Sequence, residues 1–172
     1  MALIALASCG PTLAWATAWD PGRSYDHPGA NLLVAVVTLA AVVLAVLVHY
    51  EGLSLLHHGL ARRAAGPRRR RVLLAIFGVL ALHTLEIWIF GLGLHALLWW
   101  PETGSLQGGP MEGLLDHVYF SAVVFSTLGL GDLAPVGPIR LLAAAESVTG
   151  FVLLTWSASF TYLEMARYWR TD

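Results

Sequence analysis

Apolar positions fall into four blocks divided by short polar stretches. The first runs from Asn31 to about Leu56 and is nearly unbroken Leu, Val and Ala up to His49. The second begins after an arginine run, at Val72, and continues to Trp100; the third runs from about Ile139 to Tyr168. Each exceeds the roughly 20 apolar residues that a helix needs to cross a bilayer. The fourth block, Leu114 to Phe125, is too short to cross and predicts a re-entrant segment. The expected fold class is therefore an all-α polytopic membrane protein with three transmembrane helices and a re-entrant helix.

The arginines orient these spans. Arg62, Arg63, Arg68, Arg69, Arg70 and Arg71 lie between the first and second, Arg167 and Arg170 end the third, and only Arg23 and Arg140 fall on the other side. The excess of positive charge on cytoplasmic loops then places the 57–71 loop and the C-terminus in the cytoplasm. The N-terminus and all of 101–139 lie outside, as in a multi-pass protein of the cell (inner) membrane. Trp99 and Trp100 close the second span at one interface, and Tyr168 and Trp169 close the third at the other.

Composition agrees. Of 172 residues, 57% are hydrophobic and 12% charged, against about 25% charged in a soluble domain. All basic residues are arginine and the net charge is -1, which excludes a general nucleic-acid binder. A single cysteine, Cys9, rules out an intrachain disulfide. Leu6-Ala7-Ser8-Cys9 is similar to a lipoprotein cleavage box, but only eight residues precede the cysteine, none of them basic. Gly10-Pro11, Pro21-Gly22 and Pro28-Gly29 predict an irregular segment over residues 1–29. Residues 30–71 are then an added span with its basic loop, and 72–172 form a pore-type unit.

The stretch that carries chemistry is 116–132, an apolar half-helix that runs into Ser126-Thr127-Leu128-Gly129-Leu130-Gly131-Asp132. A ring of backbone carbonyls can replace the hydration shell of K⁺. Carbonyls from consecutive residues point one way only if the backbone visits conformations that glycine tolerates, which explains glycine at alternate positions. The half-helix aims the partly negative end of its dipole where a cation would sit.

These residues resemble the T-V-G-Y-G-D signature of the potassium-channel pore-domain family. Asp116 and Tyr119-Phe120 look like that family's pore-helix start, Pro135 stands at its spacing, and Arg140, Glu146 and Gly150 look like its R-x5-E-x3-G pattern. The resemblance covers roughly residues 72–168. It implies a homotetramer, because one chain supplies one pore loop and a closed filter needs four. It also implies K⁺ ions in the filter at Thr127, Leu128, Gly129, Leu130, Gly131 and Asp132, with Asp116 and Glu146 as filter supports. Leu130 stands where the family usually has Tyr or Phe, and Leu128 replaces the usual Val. Both changes soften the filter, so non-selective conduction of monovalent cations is a second reading.

On a helix, Ser147, Gly150, Leu154, Ser157 and Thr161 share one face, a candidate pore lining, with Gly150 a hinge by the resemblance. Such a stripe equally suits close helix packing. If the basic hairpin turns at Gly66-Pro67, His49 and His83 reach similar depth with Glu51 and Glu86 nearby. Three roles compete for this group: a polar cluster that locks two spans together, a proton sensor, or a bound transition metal, though no tight metal-ligand motif is present. The group also motivates a third functional reading, a divalent metal-ion transporter using these His and Glu residues. Asp132, Glu102, Glu112 and Asp116 would concentrate cations on one side. The expected partners are further copies of the chain and the lipid bilayer, with no nucleic acid, organic substrate, cofactor or catalysed reaction.

Overall fold

The computed structural model describes residues 25–62, 68–109 and 113–169. Its elements are helix α1 (Pro28–Arg62), helix α2 (Arg68–Leu97), a 3₁₀ turn (Pro101–Thr103), strand β1 (Ser105–Gln107), helix α3 (Leu114–Phe125), strand β2 (Ala134–Val136) and helix α4 (Arg140–Trp169). α1, α2 and α4 are long and apolar enough to cross a membrane. At about 1.5 Å rise per residue, each exceeds the roughly 30 Å hydrocarbon core. The protein is an all-α polytopic membrane protein.

The largest differences from the hydropathy reading lie at the arginine end, while at the other end α1 starts three residues earlier than Asn31 and α2 stops three before Trp100. α1 continues past Leu56 to Arg62, and α2 starts at Arg68, inside the basic run. Arginine is a good helix former, so charge ends the apolar block without ending the helix. Arg71 is buried, and its guanidinium donates to the Leu60 carbonyl at 3.0 Å, closing this end of the α1–α2 pair. Residues 1–24, Gly66-Pro67, Arg63, Glu112 and Arg170 lie outside the described residues, as do the side chains of Arg68, Arg167, Tyr168 and Trp169.

α3 packs against both α2 and α4, and α1 lies against the same two long helices. The main core joins Val34, Ala41 and Ala45 of α1 to Phe90, Leu94 and Leu97 of α2, Phe120 and Phe125 of α3, and Leu142 and Leu153 of α4. Gly91 permits the close approach of α2 to α3, since a methyl there would meet the Val118 backbone at 3.0 Å.

The segments flanking α3 form a small ribbon that a reading by hydropathy did not predict. β1 and β2 pair antiparallel, with Ser105 opposite Val136 and Gln107 opposite Ala134. Strands of three residues are too short to show a period-two pattern. Thr103 fixes the ribbon to the helices: its buried hydroxyl lies 2.7 Å from the carbonyls of Leu97 and Trp100, and its own carbonyl accepts from the Ile139 N–H at 3.0 Å. The end of α2 and the start of α4 are thereby clasped together.

Candidate functional site

The chain leaves α3 through a tightly held turn. The Thr127 N–H donates to the Val124 carbonyl at 2.9 Å and the Leu128 N–H to the Val123 carbonyl at 3.1 Å. Beyond this turn the backbone alternates: Thr127, Gly129 and Gly131 have φ of 58°, 57° and 80°, while Leu128 and Leu130 do not take positive values. In an extended strand successive carbonyls point to opposite sides. Placing every second residue in the left-handed region undoes that alternation, so successive C=O groups come round to one side. For Gly129 and Gly131 the conformation costs little, but for a β-branched threonine it is an outlier worth about 1–2 kcal/mol. The two amide hydrogen bonds at the end of α3 hold it there. A methyl built on Gly129 or Gly131 would meet nothing within 4 Å, so this side of the loop is open within one chain. Leu128 and Leu130 are 64% and 57% exposed.

Two sets of contacts hold α3 and the loop to their surroundings. The Tyr119 hydroxyl donates to Asp132 Oδ2 at 2.7 Å, tying α3 to the far end of the loop. That bond to the Asp132 carboxylate is the main reason the Tyr119 phenol is held above its ordinary range. Deeper down, the Ser121 hydroxyl lies between the Ile87 carbonyl, at 2.9 Å, and the carboxyl of fully buried Glu146. Ser121 thus joins α2, α3 and α4 at one point. The other Glu146 oxygen has no partner among the described residues. Asp116 accepts from the Gly113 N–H at 3.0 Å and so caps the start of α3.

Part of the stripe Ser147, Gly150, Leu154, Ser157 and Thr161 is taken up by contacts within the chain. A methyl on Gly150 would run into the Phe125 carbonyl, Ser157 is buried, and half-buried Leu154 and Thr161 share an open groove with Ser157 and with Ile76, Val79 and His83 of α2. Small residues served close packing here, because α3 must fit against α4. The open face of α4 carries Val148, Val152, Thr155, Ser159 and Tyr162 instead. Gly150 thus stands in close contact with the end of α3.

His49, His83 and Glu86 come together as the hairpin count predicted, but Glu51 does not join them. It is exposed, because two residues along a helix from His49 is a rotation of about 200°. Glu86 is fully buried and faces His49 Nδ1 at 2.7 Å and His83 Nδ1 at 2.8 Å. Trp156 of α4 packs on His49 at 5.1 Å, and Phe125 lies 5.9 Å from His83. The ligand atoms of the three residues lie within 4.8 Å of one another, a set able to hold a transition-metal ion. Its members come from two helices, with His49 and Glu86 37 residues apart, so the hairpin count rather than any ligand motif pointed to them. Unseen in the sequence was the pairing of His57 with Glu164 at 3.0 Å, which ties the arginine end of α1 to α4.

Comparison with known proteins agrees with this geometry. The family described as "Ion channel" matches residues 76–164, a stretch that includes most of α2, all of α3 and the loop, and α4 as far as Glu164. Protein LctB of Geobacillus stearothermophilus is 34% identical over 53 residues, 31% of this chain and 40% of that protein's length. The chain thus spans less than half of the curated relative it matches, and no solved structure matches it. With more than half of its length covered by one family pattern, the chain belongs to the ion channel family.

Proposed function

We propose that four copies of this chain close around a common axis and conduct K⁺ through the 127–132 loops. The observation that carries this reading is the alternation of positive φ at Thr127, Gly129 and Gly131. It turns carbonyls to one side, at a cost in strain that a simple connecting turn would not need. The open side of the loop and the exposed Leu128 and Leu130 suit contact with neighbouring copies. The exposed face of α4 suits the same assembly, with Thr155 and Ser159 presenting hydroxyls to a water-filled path below the filter. The arginines at the α1–α2 turn support an orientation with that end in the cytoplasm and the filter outside.

The second reading, passage of monovalent cations without selectivity, is favoured by Leu130. Its aliphatic side chain has no hydroxyl with which to fasten the filter from behind, leaving Tyr119–Asp132 as the brace. Purified protein in a planar bilayer, with K⁺ on one side and Na⁺ on the other, separates the two. A reversal potential displaced in the K⁺ direction supports a selective filter. A potential near zero with robust current supports the second reading, and absence of current in protein that assembles as a tetramer overturns both.

A further inference from the structure

His95 stands in the last turn of α2 and His117 in the first turn of α3, at the end of the molecule that carries the loop. Their Nδ1 atoms face each other at 3.2 Å, with ring centroids 5.0 Å apart and ring planes inclined at 58°. A neutral imidazole has one N–H and one lone pair, so two facing Nδ1 atoms can share only a single proton. A tetrahedral Zn²⁺ with Zn–N bonds of about 2.0–2.1 Å holds two nitrogens about 3.3 Å apart. The pair therefore already stands at the bite of such an ion.

We propose that His95 and His117 form a binding site for a divalent transition-metal ion of the Zn²⁺ type, bound through the two Nδ1 atoms, the proton between them moving to Nε2 as that imidazole changes tautomer. Both rings are partly buried, so the ion would be reached from solvent and would keep water in its remaining positions. The Trp99 ring stands edge-on to the His95 imidazole at 5.8 Å. Burial, and then the neighbouring His95, hold His117 below its ordinary range; the Gly113 backbone and the Asp116 carboxylate oppose this only in part. Metal binds imidazole in its neutral form. Asp116 adds negative charge beside the site. The three-residue set at His49 is less suited: Glu86 already accepts from both imidazoles at ordinary hydrogen-bond lengths, and a metal would have to displace both.

Metal at this point would pin the end of α2 to the start of α3, the helix that carries the loop. Binding does not depend on the conduction reading, whereas an effect on current rests on it. The test is a titration of chelator-treated, purified full chain with Zn²⁺ at pH 7.5, followed by calorimetry. The expected result is one ion per chain, with affinity reduced about tenfold or more in both His95→Gln and His117→Gln and kept in His83→Gln. Wild-type affinity in both His95→Gln and His117→Gln, or loss in His83→Gln alone, would overturn the site. Because a variant can fail to fold, Co²⁺ added to the unaltered protein supplies a second readout. Intense visible bands of a four-coordinate nitrogen-ligated ion support the site, and bands of the hexaaquo ion alone refute it. Zn²⁺ on the filter side of a bilayer should reduce the current of the unaltered protein and leave that of His117→Gln less affected. If no protein conducts, the conduction reading fails while the binding titration still decides the site.

Discussion

Glu86 engages two histidines at once, His49 from the neighbouring helix at 2.7 Å and His83 from its own at 2.8 Å. Because a carboxylate only accepts, each Nδ1 must carry its proton, which leaves Nε2 as the free position on both rings. Both Nε2 atoms are buried and have no partner among the described residues. The arrangement joins α1 to α2 and touches α4 through Trp156.

Removing the carboxylate should therefore cost more than removing an exposed charge. Glu86→Ala is expected to lower stability by about 3–5 kcal/mol, the range for a buried pair that loses one member. His49→Ala and His83→Ala should couple non-additively with it in thermal-denaturation cycles. A proton-sensing role further predicts that currents lose their pH response in both His83→Ala and Glu86→Gln. A response kept in both variants would leave the cluster as a lock between helices.

Tyr119 and Asp132 make a pH prediction with a definite sign. The phenol is held above its ordinary value of 10.0 chiefly by its bond to Asp132. The raised folded value means the bond's contribution is fully present below pH about 10 and is lost as pH rises through the folded value. Tyrosinate absorbance should contain one transition displaced upward, and Asp132→Asn should bring it back. Tyr119→Phe should speed the decline of current during sustained activity, and an unchanged time course would show that the brace is dispensable.

Ser121→Ala leaves the buried Glu146 carboxyl without its partner on α3. An unsatisfied buried polar group costs about 1–3 kcal/mol. A lower thermal midpoint than that of Ser126→Ala, whose hydroxyl bonds only its own helix, is the expected result.

Gly150→Ala would push a methyl into the Phe125 carbonyl. Backbone cannot move aside as a side-chain tip can, so an overpacking cost of about 1–3 kcal/mol or more is expected. A lowered thermal midpoint, or loss of the proposed tetramer on gel filtration, would register it. A pore hinge would instead tolerate alanine with altered gating and unchanged assembly.

The facing of α4 can be read with cysteines in a Cys9→Ser background. Thr155→Cys and Ser159→Cys, on the open face, should react with small water-soluble thiol reagents. Ser157→Cys, buried against α2, should not. The reverse pattern would restore the buried stripe as the lining.

Hydropathy alone located the three long helices and the short one, because length and apolar content are local properties that a bilayer tests directly. The depth match of His49 and His83 was also legible, since antiparallel helices of equal rise place equal counts from a turn side by side. The conformation of the loop was legible because it demands particular residues: Gly129 and Gly131 record the positive φ they adopt. Nothing in the residue type flagged Thr127 as their third partner.

Which way each helix face turns was not in the sequence. A small residue at Gly150 suits a cavity or a tight contact equally, and only the position of α3 against α4 brought the Phe125 carbonyl up to it. Glu51 lies two positions from His49, yet helix rotation sends it outward. His95 and His117 meet because the end of α2 and the start of α3 converge across 22 residues of chain. The sequence by itself determined the spans and the residues able to line a filter, since both depend on the chain over a few neighbouring positions. The tertiary structure decided the partners of the buried polar groups, since these depend on where separate helices stop against one another.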